Sequence, residues 1–299
     1  MKEITFEEFR EEVLAEAGRQ LPGEYRDCRI VVHRFRKLNG VYDGAALLRS
    51  DEEWACGGTV ADLEEAYRTF REHGDLIRSA KEIVQTVTRQ APAFQMPDMD
   101  SYEEIRKHLF IRLGSRAKNR ELLQKVPYRQ IGDMALTYHI RIDCDVKGVV
   151  STIVTNDLLE RLGVSVEELD EDACAGGARM FPAVVSMTPA GNRKAKIFTL
   201  TNTIETNGAS ALFYPGMMHI MTQILPEGFF VLPVSVNQVL IASGMEMGLK
   251  ELERCQKIMV SQLDDPREFL SETPYYYDPE KDSLITAEQH FHDINVQCA

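Results

Sequence analysis

The chain has 299 residues, 44% of them hydrophobic, and a formal net charge of −13, which is enough apolar mass to bury a full core as one large or two smaller domains. The charge is uneven, −2 over residues 1–127 and −11 over 128–299; an acidic second part repels a phosphate backbone, so general nucleic-acid binding is disfavoured. No apolar run approaches the ~20 residues that span a bilayer, and Met1–Arg10 is acidic and amphipathic rather than a secretory leader, so the expectation is a cytoplasmic protein with no membrane partner.

Taken in chain order, Thr5, Phe6, Glu7 and Glu8 spell a capping box. The stripe Phe6, Phe9, Val13, Leu14 and Ala17 continues from it as one apolar helix face, ending near Gly18. Ile30 and Val32, then Ala45 and Leu47, belong to two strands joined at Asn39-Gly40, a strong hairpin signal. Val60, Leu63, Tyr67 and Phe70 predict one helix, and Leu76, Ala80, Ile83, Val84 and Val87 a second that stops before Pro92. Pro92 and Pro97 make 91–102 the predicted linker between an N-terminal unit, 1–90, and a C-terminal α+β domain, 103–299.

A second capping box, Ser101 to Glu104, opens a short helix before a strand at Leu109–Leu113. Met134–Ile142 and Val149–Thr155 read as a hairpin turning at Lys147-Gly148, followed by a helix Asn156–Leu162 closed by Gly163. Ser165 to Glu168 is a third capping box, starting a helix toward Arg179. Lys196–Thr203 and Ala209–Tyr214 read as a hairpin turning at Asn207-Gly208, with Pro215 opening the helix Met217–Leu225. The apolar run Phe229–Ala242 is the predicted centre, divided by Pro233 into strands at 229–232 and 236–242, because proline lacks the amide a ladder needs. A helix over 246–262 follows; Val239 and Ile241 are expected to pack beneath it, against Leu249, Leu252 and Met259. Tyr275–Tyr277 reads as an edge strand. Hairpins alternating with helices make the fold class α+β, with antiparallel ββα modules.

The six cysteines (28, 56, 144, 174, 255 and 298) are scattered without a Cys-x-x-Cys pair, as expected of thiols in a reducing cytoplasm, and no metal or other cofactor is expected. Asp143, Asp145 and Gly148 fit three positions of a calcium loop, but the fifth is Lys147 and the twelfth Val154, so a polar hairpin turn is the better reading. Ser115-x-x-Lys118 lacks the companion motifs of a serine–lysine site. His290 and His292 would lie on one side of an extended tail, where frayed termini are the default. Met217, Met218 and Met221 at helical spacing read as core, and His139, in the strand LTYHIRI, as a buried imidazole meeting a backbone carbonyl.

The blocks Lys118–Leu123 (KNRELL), VPYRQIGDMALTYHI, IVTNDLLERLGVSVEELDEDA, IFTLTN…NGASALFYPGMM and FFVLPVSVNQVLIA resemble an uncharacterised bacterial domain-of-unknown-function family. That family is found in gut Gram-positive anaerobes and is distantly similar to a second uncharacterised bacillar family. The resemblance covers most of the chain, most closely 103–277. Relatives place a histidine where this chain has Asn237, and end the long helix with an asparagine where it has Gly176-Gly177. The resemblance implies no substrate, cofactor or catalytic residue. The residues therefore favour a non-enzymatic factor acting through contact with another protein. The alternative is a hydrolase or small-ligand binder with a site beside the central hairpin, around His139, Asn156 and Asn237. A cleft with convergent polar groups would favour the alternative, and a flat apolar patch the first.

Overall fold

Residues 4–49, 59–89, 96–145, 148–188, 196–243 and 248–297 are described by a computed structural model. The chain divides into two units, Met1–Ala93 and Phe94–Ala299. Its helices and antiparallel sheets make it an α+β protein.

The first unit starts with α1 (Phe6–Gln20), whose capping box forms as the sequence predicts. Thr5 Oγ1 accepts from the Glu8 amide at 3.2 Å and Glu8 Oε2 accepts from the Thr5 amide at 2.8 Å. Strands β1 (Cys28–Lys37), β2 (Gly40–Arg49) and β3 (Ala61–Asp62) form one antiparallel sheet. Asn39 takes the left-handed conformation that closes the β1–β2 hairpin. Helices α2 (Leu63–His73) and α3 (Leu76–Val87) follow. Phe9, Val13 and Ala17 of α1 share a core with Ala45 and Leu47 of β2 and with Ile83 and Val87 of α3. Val60 lies ahead of β3 rather than in the helix, which Asp62 caps by accepting from the Glu65 amide.

The second unit contains α4 (Tyr102–Ile105), β4 (Leu109–Ser115), β5 (Tyr128–Ile131), β6 (Met134–Asp145), β7 (Gly148–Ile153), α5 (Asn156–Leu162) and α6 (Val166–Met180). Then come β8 (Ala183–Thr188), β9 (Ile197–Asn202), a 3-10 turn Gly208–Phe213, α7 (Met217–Ile224), β10 (Phe229–Ser235) and β11 (Gln238–Ser243). The chain continues through α8 (Leu249–Ser261), β12 (Tyr275–Asp278), β13 (Ser283–Thr286) and α9 (Ala287–Gln297). A smaller antiparallel sheet pairs β6 with β4 along one side and with β5 and β7 along the other. A six-stranded sheet runs β13-β12-β10-β11-β9-β8. One core joins Ile111, Leu136 and Tyr138 of the first sheet to Leu200, Phe229, Val231, Val239 and Ile241 of the second.

Five expectations are corrected. Residues 209–214 are not a strand: Asn207 turns left-handed (φ 53°) into the 3-10 turn, and Ala209 to Leu212 are all buried, which an alternating half-buried strand does not give. The hairpin partner of β9 is instead β8, which carries Val184 and Val185, and β11 pairs with its other side. Pro233 lies inside β10, tolerated because the pairing to β11 shifts register between Leu232 and Ser235, so no ladder amide is required there. Helix α8 packs through Leu252 on the face carrying Phe230, Leu232 and Ala242, opposite Val239 and Ile241. Tyr275–Tyr277 is not an edge strand, since β13 lies outside it.

Two smaller readings also change. Ser101 precedes a four-residue helix without a side-chain cap bond, whereas Ser165 does accept from the Glu168 amide. The predicted His290–His292 tail is helical, so the two imidazoles, two residues apart, do not share a face. His290 stacks on Tyr276 with ring centroids 3.5 Å apart, and His292 is exposed. Lys147, at the predicted turn, lies outside the described residues. No helix among the described residues is long and apolar enough to cross a membrane.

Candidate functional site

The second unit holds a cleft of about 740 Å³ between the β5–β6 hairpin, the 3-10 turn with α7, and the β12–β13 turn. That volume falls in the range of small-molecule pockets. Glycines shape its wall. Gly132 closes the β5–β6 turn at φ +55°, and any Cβ there would stand 2.2 Å from the Tyr275 hydroxyl. Gly216, at φ +77°, precedes α7.

The side chains aimed at the cleft are held from behind. Arg129 of β5 donates from Nη1 to Asp170 Oδ2 at 2.8 Å, and its guanidinium lies 5.5 Å from the centroid of the Phe213 ring. Arg129 Nε is buried and donates to no described group. Asp170, projecting from α6, also accepts from the Tyr138 hydroxyl at 3.0 Å, so the carboxylate that fixes the arginine is itself fixed. Burial, then that carboxylate, push Tyr138 well above the ordinary phenol value. Across the cleft the Tyr277 hydroxyl donates to Asp282 Oδ1 at 2.5 Å, and burial first, then Asp282, push this phenol up to about 12. His219 and Thr222 of α7 add polar groups; His219 is exposed and the Thr222 hydroxyl donates to the His219 carbonyl.

The described lining residues include no serine, cysteine or lysine. Cys174, behind the wall, is pushed up to about 12, chiefly by burial, and stays a neutral thiol. The turn that carries Gly132 is anchored by Asp133, whose carboxylate accepts from the hydroxyls of Ser271, Thr273 and Tyr275, at 2.6 Å for the tyrosine. Among the described residues no three His, Cys, Asp or Glu side chains group as metal ligands.

The three sequence candidates stand apart from this cleft, and none of them lines it. His139 is buried on the face of β6 that carries Phe110 of β4 as its cross-strand partner. Its Nε2 lies 3.0 Å from Thr137 Oγ1 rather than against a backbone carbonyl, and the threonine hydroxyl passes the bond on to the Arg112 carbonyl. Asn156 opens α5 on the surface, its amide N–H donating to the Lys125 carbonyl. Asn237 braces the β10–β11 turn: its Oδ1 accepts from the Asn207 amide at 3.0 Å, and its carbonyl accepts from the Thr201 hydroxyl at 2.7 Å. Asn237→Ala is expected to cost about 1 kcal/mol in urea denaturation, through the orphaned Asn207 amide. Nothing in the sequence singles out Arg129 or the Tyr277–Asp282 pair, because their partners lie 41 and 5 residues away in no recognised spacing.

His139 gives a pH dependence. Full burial, then the Arg112 charge, hold its pKa well below the usual imidazole value of 6.5. The unfolded chain therefore binds a proton that the folded chain refuses, and stability is lost as pH falls below about 6.5. The limiting slope is about 1.4 kcal/mol per pH unit. Urea midpoints measured at pH 8 and pH 5 should differ less in His139→Gln than in the parent. His108 and His290, also lowered mainly by burial, leave part of the difference in place.

Residues 6–279 match the model of a family of unknown function (DUF5688). The chain belongs to that family. No curated protein and no solved structure matches it. The match spans both units, so the N-terminal helices and sheet are part of what defines the family.

Proposed function

We propose that the chain is a small-molecule-binding protein whose site is the 740 Å³ cleft of its second unit. The observation that carries this reading is Arg129, part-exposed at the cleft wall and held there by Asp170 and Phe213. A preorganised guanidinium facing a cavity favours a ligand that presents an acceptor, such as a carboxylate, carbonyl or hydroxyl oxygen. Phe213 and Leu284 offer apolar surface to the rest of it. The scattered cysteines, with Cys174 a buried thiol among them, support a reducing cytoplasm as its setting.

The test is ligand-observed NMR against a mixture of polar carboxylate and hydroxylated metabolites. Hits are expected for the parent and lost in Thr222→Trp, which fills the cleft from α7, and in Arg129→Met. Hits that survive both substitutions would remove the site.

Action through contact with another protein is the second reading. It is supported by the strand β8, which exposes Val184 (39%) and Met187 (68%) and has no strand on its outer side among the described residues. A partner adding a strand there would be disrupted by Val184→Lys, read as lost co-purification with the cleft intact.

A further inference from the structure

A second cleft, about 480 Å³, adjoins the β5–β6 hairpin and is lined by Arg116, Arg120, Leu123, Gln124, Tyr128 and Asp133. Its charge runs against the rest of the chain. Residues 112–129 hold six basic side chains and one acidic one, within a protein of net −13. Arg116 is fixed, its Nη1 donating to the Gly132 carbonyl at 3.0 Å and its amide to the Asp133 carbonyl at 2.9 Å. Arg120 is exposed, and among the described residues no carboxylate pairs with it. The one lining carboxylate, Asp133, is already occupied by the hydroxyls of Ser271, Thr273 and Tyr275. Lys118 is turned elsewhere, its Nζ over the Phe269 ring and bonded to the Pro266 carbonyl.

A further cation lies on the sheet face behind Tyr128. Thr137 of β6 is the cross-strand partner of both Tyr128 and Arg112, so the three side chains form one row on one face, spanning about 10 Å at the usual Cβ spacing. The Arg112 side chain is half-buried, its Nε is buried without an acceptor among the described residues, and its guanidinium rests against the Phe110 ring. A half-buried cation with no ion pair among the described residues adds to the positive potential beside the cleft.

We propose that this second cleft binds a phosphate group, free or as the monoester of a small organic molecule, between Arg116 and Arg120. Two guanidiniums with one engaged carboxylate suit a dianion better than a singly charged carboxylate. Gln124 and Tyr128 supply further hydrogen-bonding groups, and the volume leaves room for an organic substituent over Leu123. A nucleic-acid backbone is the poorer occupant, because residues 128–299 carry −11 and would repel an extended polyanion. No residue lines both clefts, although the β5–β6 turn borders each of them.

The probes are inorganic phosphate and phenyl phosphate, titrated calorimetrically into the full chain at low salt. Saturable binding is expected, weakened about tenfold or more by Arg120→Glu and by the milder Arg120→Gln, with the far-ultraviolet circular dichroism of both variants unchanged. Thr222→Trp, which blocks only the first cleft, should leave it intact. Tighter binding of phenyl phosphate assigns an organic monoester, and equal binding of the two probes assigns free phosphate. The proposal is overturned if neither probe saturates at millimolar concentration, if both Arg120 variants bind like the parent, if Thr222→Trp abolishes binding, or if a short single-stranded oligonucleotide binds more tightly than phenyl phosphate.

Discussion

Replacing Gly176 by alanine should destabilise the second unit by about 1–3 kcal/mol, the usual cost of forcing extra volume into a packed contact. Gly176 lies inside α6, where the same change on an open helix face would stabilise by roughly 0.5–1 kcal/mol through reduced backbone freedom. Here the sign reverses, because a Cβ at Gly176 would stand 2.1 Å from the Leu109 carbonyl oxygen and 3.1 Å from its carbon. Both atoms belong to the β4 backbone, so no side-chain rotation relieves the overlap; helix and sheet have to move apart. The control is Gly18→Ala in α1, where a Cβ meets nothing within 4 Å and a small gain is expected. Urea denaturation followed by circular dichroism reads both. A Gly176→Ala protein as stable as the parent would mean that α6 does not pack this closely on β4.

Ile241→Ala carries the larger figure, a loss of about 2–5 kcal/mol from missing methylene groups and the cavity they leave. Ile241 is fully buried in the core that joins the two sheets, on the same strand face as Val239 and opposite α8. Met187→Ala, at an exposed position of β8, should stay within about 0.5 kcal/mol of the parent. A shift for Ile241→Ala no larger than that of Met187→Ala would place the centre of the fold elsewhere.

Where local chemistry decided the structure, the sequence was legible. The Thr5 box, the Asn39 hairpin and the Gly163 helix stop rest on one to four residues each, and all three form. Failures came where two segments distant in sequence compete for the same pairing. Asn207-Gly208 carries a hairpin signal, but β8 pairs with one side of β9 and β11 with the other, leaving no free edge for 209–214. The face chosen by α8 could not be read from periodicity, because β10 and β11 are buried on both sides and nothing apolar marks one of them. The first cleft was illegible for a related reason. Arg129, Phe213 and Tyr277 come from three separate parts of the chain and only the packed sheets bring them to one wall. The basic run at 112–120 is visible in the sequence, but that Arg112 is half-buried in β4 while Arg120 is exposed depends on the sheet register.

A crystal soaked with an NMR hit would test the ligand-binding reading most directly. The expected map shows the molecule in the first cleft, an acceptor atom of it within hydrogen-bond distance of the Arg129 guanidinium and its body against Phe213, with the Arg129–Asp170 bond retained. A hit that binds in solution yet leaves that cleft empty, lying instead along the β8 edge or outside the second unit, would contradict the account.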